Sequence, residues 1–446
     1  MATTFYIEQF GCRATQADAA AIERQLLDRG CTAAPDAASA QVVVVNTCTV
    51  TAAADTQARE AIRKIHARNP AARIAATGCY AQRAPEDLAA LPGVSWVVGN
   101  SHKADIASLV ALPANDFVPA TALAGAGAAP KSVLVDDIFA HSHFLSAPVL
   151  GGEANHTRPT LKIQDGCDLR CSYCVIPFVR GKSRSMPADQ VIDEIRKLCE
   201  SGFREIVLSG INLGTWGRDL SPRGEFLDLL RRILDETPLE RLRLSSIEPQ
   251  DVTQDLVALF ASTKRLADHF HMPLQSGCDG ILAAMHRWYR TAHYARRVEL
   301  IREYLPHAAI GADVIAGFPG ESEAQHAETL EFIARLSFTY LHVFSYSLRP
   351  GTKAAALPNQ VPGHVIKRRA RELRALGEGK AAAFRESHVG RSLRVLTLRR
   401  DPDAPDFTPA LSSNYVRVQL PGAHDANTFH DVRAGYTEGS QLVAAS

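Results

Sequence analysis

The chain has 446 residues, 46% of them hydrophobic and 22% charged, with a formal net charge of +1. That length suits two to four domains with a sizeable core, and the near-neutral balance excludes attraction to nucleic acid by global charge, so RNA binding would rest on local patches. No apolar run approaches membrane-spanning length and the N-terminus has no secretion-signal pattern; with nine Cys, a cytoplasmic protein with reduced thiols and no membrane partner is expected.

Residues 5–7 read as a strand, 16–27 as a helix, 41–46 as a buried strand and 55–67 as a helix. Residues 73–77 give a third strand, 84–90 a helix and 95–98 a fourth strand. This alternation predicts an α/β domain over residues 1–112, a small doubly wound parallel sheet. Residues 113–155 are rich in Ala, Gly and Pro and read as a linker with room for a strand pair. A longer βα series follows over residues 156–385. Its strand candidates are 161–164, 205–208, 241–244, 269–272, 310–313 and 341–344, which predicts a partial (βα)6 barrel. Residues 365–385 form one charged helix containing Lys367, Arg368, Arg369, Arg371 and Arg374. Over residues 386–446 the pattern turns to short strands at 393–396, 415–418 and 441–443, a small β-barrel module.

Cys167, Cys171 and Cys174 stand in the run Gly166-Cys-Asp-Leu-Arg-Cys-Ser-Tyr-Cys-Val-Ile-Pro177. Three thiolates so close can hold three irons of a [4Fe–4S] cube, leaving the fourth iron open. A zinc site would recruit a fourth Cys or His nearby, and the next Cys is Cys199. The i, i+4, i+7 spacing also suits one face of a buried helix. Gly166 and Pro177 bracket the segment, however, and Asp168 and Arg170 interrupt it, which favours a loop.

A second set follows the strands of the first domain: Cys12 in Phe10-Gly-Cys12, Cys48 in Asn46-Thr-Cys48-Thr, and Cys79 in Thr77-Gly-Cys79-Tyr80. Ligands of an open parallel sheet bind beyond the carboxyl ends of its strands, so the three thiols can converge there. Gly11 and Gly78 suit the tight backbone this needs. A single Cys at a strand end is ordinarily just a small buried residue; three at equivalent places point to a site. Cys31, Cys199 and Cys278 share no spacing and receive no cluster role.

The barrel strands end in polar or Gly-rich turns, at the face where βα barrels carry active sites. Gly210 and Asn212 follow the second strand, and Ser246 and Glu248 the third. Gln275 and Asp313 are candidates of the same kind, although turn chemistry alone uses these residue types. Residues 312–320 contain glycines but lack the Lys-Ser/Thr ending of a phosphate loop. For RNA, the terminal module offers Tyr415, Arg417, Arg399 and Arg400, set against Asp401, Asp403 and Asp406. The run 367–374 includes Glu372 and reads equally well as a solvated helix face.

The spacing of Cys167, Cys171 and Cys174, with Tyr173 before the last Cys, resembles the cluster motif of radical S-adenosylmethionine (SAM) enzymes. Together the two triplets resemble the methylthiotransferase family over nearly the whole chain: an N-terminal cluster domain, a radical SAM partial barrel and a C-terminal TRAM-like module. The strings Asn46-Thr-Cys-Thr-Val-Thr51, Gly78-Cys-Tyr-Ala-Gln82, Lys162-Ile-Gln-Asp-Gly-Cys167, Ser245-Ser-Ile-Glu-Pro249 and Tyr346-Ser-Leu-Arg-Pro-Gly-Thr352 look most like the branch acting on threonylcarbamoyladenosine next to the tRNA anticodon. Sister branches act on isopentenyladenosine in tRNA or on a ribosomal-protein aspartate.

The resemblance implies two [4Fe–4S] clusters and SAM as cofactors, and tRNA, a reductant and a sulfur donor as partners. It implies that the Cys167/Cys171/Cys174 cluster cleaves SAM to a radical that takes hydrogen from carbon 2 of the adenine. The Cys12/Cys48/Cys79 cluster then presents sulfur, and a second SAM supplies the methyl group; such chemistry belongs to cofactors, not side chains. Gly210 to Asn212 resemble the stretch contacting the SAM methionyl group, and Ser246 and Glu248 would meet ribose hydroxyls. Two departures stand out: Thr15 where the family usually carries Asn, and Cys278 where relatives often have Ser. Rivals from other classes are a non-enzymatic iron–sulfur protein for electron transfer or sensing, which needs no six βα units, and a zinc-bound RNA-binding scaffold.

Overall fold

Four consecutive Val residues make Val42–Thr47 the centre of the first sheet, buried on both faces. In this computed structural model, residues 2–111, 132–141, 143–149, 157–400, 403 and 406–445 are described; most of the segment read as a linker, and Asp401, lie outside them. The sheet comprises β1 (Thr4–Gln9), β2 (Thr32–Ala33), β3 (Val42–Thr47), β4 (Arg73–Gly78), β5 (Val94–Val98) and β6 (Ser132–Leu134). Their order is β2-β1-β3-β4-β5-β6, with parallel pairing throughout. Val43 and Val45 pack toward helix α2 (Ala52–Arg68) with Ile62 and Ile65. Val42 and Val44 pack toward α1 (Arg13–Asp28) with Ile22 and Leu26. This alternation is why the sheet is wound on both sides. β6 comes from the segment read as linker, and β2 from a stretch too short to signal.

The second unit opens with β7 (Thr160–Lys162) and an antiparallel pair, β8 (Gln164–Asp165) with β9 (Arg184–Ser185). It continues with β10 (Glu205–Ser209), β11 (Arg241–Leu244), β12 (His269–His271), β13 (Ala309–Ala316) and β14 (Tyr340–Ser345). Parallel pairing gives β7-β10-β11 and β12-β13-β14. Parallel bridges from Leu242 to Leu266 and from Ser246 to His271 join the two halves into one arc. Outer helices such as Phe226–Glu236 bury Leu229, Leu230 and Ile233 against Ile206, Leu208 and Leu242. Truncating one such Leu or Ile to Ala would cost about 2–5 kcal/mol.

The last unit is a closed barrel of β15 (Ser392–Thr397), β16 (Phe407–Ser412), β17 (Arg417–Pro421), β18 (Phe429–Glu438) and β19 (Gln441–Ala444), ordered β15-β16-β17-β19-β18. It docks on the amino ends of the central strands. Arg241 donates to the Leu411 carbonyl at 2.9 Å, and Arg243 to those of Ser412 and Ser413 at 3.0 and 2.9 Å. Both guanidiniums pair with Glu205. Burial alone would raise the Glu205 carboxyl; Arg243, Arg241 and Arg158 outweigh it and hold it well below the usual range.

Tyr415 is not in a strand but in a turn at φ 66°. Its ring stacks 4.5 Å from His269, with Tyr340 beside it at 5.8 Å. It is therefore a half-buried domain-interface residue, and the strand read from 415 begins at Arg417 instead; Arg399, Arg400 and Arg417 are exposed. The long helix Gly363–Glu386 uses Arg369 to pair with Glu321 and Glu323, each at 2.8 Å. Arg368 pairs with Glu323 at 2.7 Å and Glu372 at 3.0 Å. Those two cations serve the fold.

Candidate active site at the seam of two domains

β1, β3 and β4 are neighbours, so their carboxyl ends lie side by side. Cys12 precedes α1, Cys48 follows β3, and Cys79 opens helix α3 (Cys79–Arg83). Two residues without Cβ let these strand ends pack closely. Gly11 has φ +103°, and a Cβ there would lie 2.6 Å from Cys48 Cβ and 2.9 Å from its Sγ. Gly78 has φ +98°, and its Cβ would lie 2.3 Å from the Thr47 carbonyl oxygen. Burial, then Cys79, pushes the Cys48 thiol up to about 11, with Cys12 adding to the effect. Thr15 donates its hydroxyl to the Cys12 carbonyl at 2.6 Å, and Asn46 donates to the Thr15 carbonyl at 2.7 Å. The family's missing Asn is thus replaced by a hydroxyl that ties down the turn holding Cys12.

The other triplet lies on the loop between β8 and the helix Ile176–Arg180, not on a helix. Gly166 turns the chain at φ +72°, and Cys167 N donates to the Gly181 carbonyl at 3.1 Å. Cys174 N donates to the Cys171 carbonyl at 3.2 Å. Burial first, then Cys171, pushes Cys174 up to about 12; burial pushes Cys167 up to about 11. Cys48 in the first set, and Cys167 and Cys174 in the second, thus resist ionising by themselves. A cationic metal core would supply the charge that holds them as thiolates, so the donor set and the glycine cradle fit a [4Fe–4S] cube at each place.

A cavity of about 340 Å³ opens between the units. Cys167, Cys171, Cys174 and Tyr173 form one wall, and Asn212, Ser246, Glu248, Gln275 and Asp313 line the barrel mouth. Val50 and Thr51, just past Cys48, close it from the first domain. Gly210 is not among the lining residues: its backbone packs on Gln164, whose Oε1 accepts from Asn212 N at 2.8 Å. Gly210 thereby helps orient the strand end rather than face the cavity.

The sequence reading missed Arg287, buried in the cavity wall. Its Nη1 donates to Cys171 Sγ at 3.3 Å, and its other nitrogen pairs with Glu248. Burial raises the Glu248 carboxyl against the pull of Arg287. Arg287 stands in Met285-His286-Arg287-Trp288-Tyr289, where no spacing marks it. Asp313 is also held more firmly than a turn residue would be. His271 Nε2 donates to it at 2.9 Å, with His342 at 3.4 Å. Burial would raise Asp313; these hydrogen bonds bring it well below the usual carboxylate range. Across the seam, Asp55 of α2 pairs with Arg83 at 2.8 Å and with Arg349 of the barrel. Cys278 packs in a separate apolar cluster with Ile281, Met285 and Phe318, and Cys31 lies in the core beneath α1.

Comparison with known proteins agrees with this architecture. Residues 4–99 match the Uncharacterized protein family UPF0004, and residues 161–333 match the Radical SAM superfamily. A relative from Aquifex aeolicus, named threonylcarbamoyladenosine tRNA methylthiotransferase, is 36% identical over 98% of this chain and 98% of its own. One from Sphingopyxis alaskensis, named tRNA-2-methylthio-N(6)-dimethylallyladenosine synthase, is 35% identical over 94% of this chain and 92% of its own. Among solved structures, the radical SAM methyltransferase TsrM from Kitasatospora setae shares the fold. Its TM-score is 0.57 at 17% identity, covering 80% of this chain and 77% of that one. Fold and site define a radical SAM enzyme that inserts sulfur, with SAM and [4Fe–4S] clusters as its cofactors. Within that class the chain belongs to the methylthiotransferase family. Among the described residues no helix is long and apolar enough to cross a membrane.

Proposed function

We propose that this enzyme converts threonylcarbamoyladenosine next to the tRNA anticodon to its 2-methylthio form. The observation that carries the proposal is the single cavity with a cysteine triplet in its barrel wall and Val50 and Thr51, beside the second triplet, in the facing wall. Cys167, Cys171 and Cys174 are assigned as ligands of the SAM-binding cluster, and Cys12, Cys48 and Cys79 as ligands of the sulfur-presenting cluster. When bound, these groups supply the radical and the sulfur. The protein's own part is to hold and orient. Glu248, fixed by Arg287, and Ser246 offer acceptors to ribose hydroxyls; Asn212 and Tyr173 shape the end of the cavity next to the cysteines. Asp313, held by His271 and His342, presents a fixed negative charge across from them.

Residues 1–112 serve as the cluster domain, 156–385 as the radical SAM domain and 386–446 as a TRAM-like RNA-binding domain, in a cytoplasmic enzyme. The substrate choice draws support from three relatives at 32–36% identity that carry the threonylcarbamoyladenosine name. Mass spectrometry of tRNA nucleosides from a deletion strain tests it. Loss of 2-methylthio-threonylcarbamoyladenosine, restored by the wild-type chain, is expected. Loss of the methylthio isopentenyladenosine nucleoside instead would move the chain to the sister branch that the Sphingopyxis relative's name represents. A full set of modified nucleosides would direct the search to a ribosomal protein.

A further inference from the structure

The seam between the two cysteine sites holds more buried positive than negative charge. Asp18 of α1 and Asp165 of β8 are buried, and so are Lys103, Lys162 and Arg180 around them. Lys103 pairs with Asp18 at 2.6 Å, and Arg180 with Asp18 at 2.9 Å and with Asp165 at 2.8 Å. Lys162 pairs with both carboxylates, reaching Asp165 at 2.9 Å. Three cations thus face two anions, and Arg184 adds a fourth at 3.9 Å from Asp165. An uncompensated buried charge is costly, so a further anion belongs beside this network.

A [4Fe–4S] cube held by Cys12, Cys48 and Cys79, anionic once its thiolate ligands are counted, would supply it. Burial works against the Arg180 charge; Asp165, then Cys79, Asp18 and Cys12, outweigh it and hold the guanidinium charged. Neighbours of Arg180 touch Cys79 directly. Asn100 Nδ2 donates to Cys79 Sγ at 3.5 Å and to the Val179 carbonyl at 2.7 Å. Val175 and Val179 pack on Cys79, so the one helical turn between Cys174 and Arg180 bridges the two sites. The barrel triplet has a different setting: Arg287 donates to Cys171 and pairs with Glu248, one cation to one carboxyl.

Hydrogen bonds to cluster sulfurs and nearby net charge help set iron–sulfur reduction potentials. Both favour the state with one more electron where the donor or charge is positive. We propose that Asn100 and Arg180 are positioning residues of the N-terminal site, making its cluster easier to reduce than the cluster of the barrel loop. This rests on the assignment of Cys12, Cys48 and Cys79 as [4Fe–4S] ligands.

The test is an anaerobic redox titration of the reconstituted full-length protein, followed by electron paramagnetic resonance with and without SAM, with iron measured on every sample. The signal that SAM leaves unchanged reports the N-terminal site. It should appear at the less negative potential in the wild type. Asn100→Leu and Arg180→Gln should each shift it to more negative potential and leave the SAM-sensitive signal in place. Asn100→Gln and Arg180→Lys, which keep a donor and a charge, should stay near the wild type. An unshifted signal in Asn100→Leu and Arg180→Gln at full iron content would overturn the proposal. So would loss of the N-terminal iron in Leu and Gln variants of Asn100 alike, because the residue would then be needed only for packing. A wild-type chain with about four irons and only a SAM-sensitive signal would instead overturn the ligand assignment itself.

Discussion

The two cysteine sites are built in opposite ways. The barrel triplet is local: one loop carries Cys167, Cys171 and Cys174, and a few backbone hydrogen bonds such as Cys174 N to Cys171 O set its shape. The N-terminal triplet is topological: Cys12, Cys48 and Cys79 come from three strand ends and meet only when β1, β3 and β4 lie in register. A local site tolerates distant damage to the fold. A topological one fails with the sheet, and with the glycines that let its strand ends approach. The barrel triplet also borders the Arg287–Glu248 pair, one cation to one carboxyl, whereas the N-terminal one borders a cationic network.

The largest effect expected from this contrast is on iron. The full chain should bind about eight irons after anaerobic reconstitution. Replacing Cys167, Cys171 and Cys174 by Ala should leave about four and abolish SAM cleavage. Replacing Cys12, Cys48 and Cys79 by Ala should also leave about four, yet SAM cleavage should persist without methylthio product. If the second variant forms product normally, the N-terminal triplet has no part in the chemistry.

A single Gly should separate the two modes of construction. Gly78→Ala places a side chain at φ +98° with its Cβ 2.3 Å from the Thr47 carbonyl oxygen. Strain of about 1–3 kcal/mol or more follows, and it falls on the junction of Cys48 and Cys79. We expect the N-terminal iron to be lost and the SAM-sensitive cluster to remain. Retention of about eight irons would show that the strand ends can relax around the added methyl group.

How much of this was legible in the sequence follows the same division. The six central strands announced themselves as short segments of apolar or alternating residues, and the glycines at 11 and 78 marked turns ahead of two of the Cys. The convergence of Cys12, Cys48 and Cys79 was legible because strand ends of a parallel sheet share one face. What stayed hidden depends on tertiary partners. Tyr415 has the composition of an RNA-binding residue, and nothing local shows that its ring stacks on His269. Arg287 has no motif, and only the fold brings it to Cys171 and Glu248. Asn100 sits in an ordinary Gly-Asn-Ser turn, and nothing in its neighbours announces Cys79. β6 needs a partner strand to exist at all, since three residues carry too little periodicity to be read.

The docking of the terminal module gives a smaller, purely structural prediction. Arg243→Leu removes one partner of buried Glu205 and the donor to the Ser412 and Ser413 carbonyls. Breaking a buried pair in this way costs about 3–5 kcal/mol. Thermal or denaturant unfolding should show that loss, while iron content at low temperature stays near the wild-type value. Deleting the module altogether should destabilise the central barrel as well, since Arg241, Arg243 and His269 lose their cover together. An unchanged melting point in Arg243→Leu would mean that the two units are not joined through this network.

The smallest effects belong to the cysteines outside both triplets. Cys278 is buried among Ile281, Met285 and Phe318, and Cys31 packs with Ile22 and Leu26. Cys199 lies at the edge of the central core. Ser at each position replaces a weakly polar thiol by a hydroxyl in mostly apolar surroundings, costing about 1–3 kcal/mol where burial is complete and less at Cys199. Iron content and product formation should be unchanged in all three. Cys278 is the informative case, because it follows Gln275, which lines the cavity. Loss of a cube in Cys278→Ser would make it a ligand at the barrel mouth and end the division into one local and one topological triplet. A modest drop in unfolding temperature with full iron would leave that division standing, with Cys278 filling space.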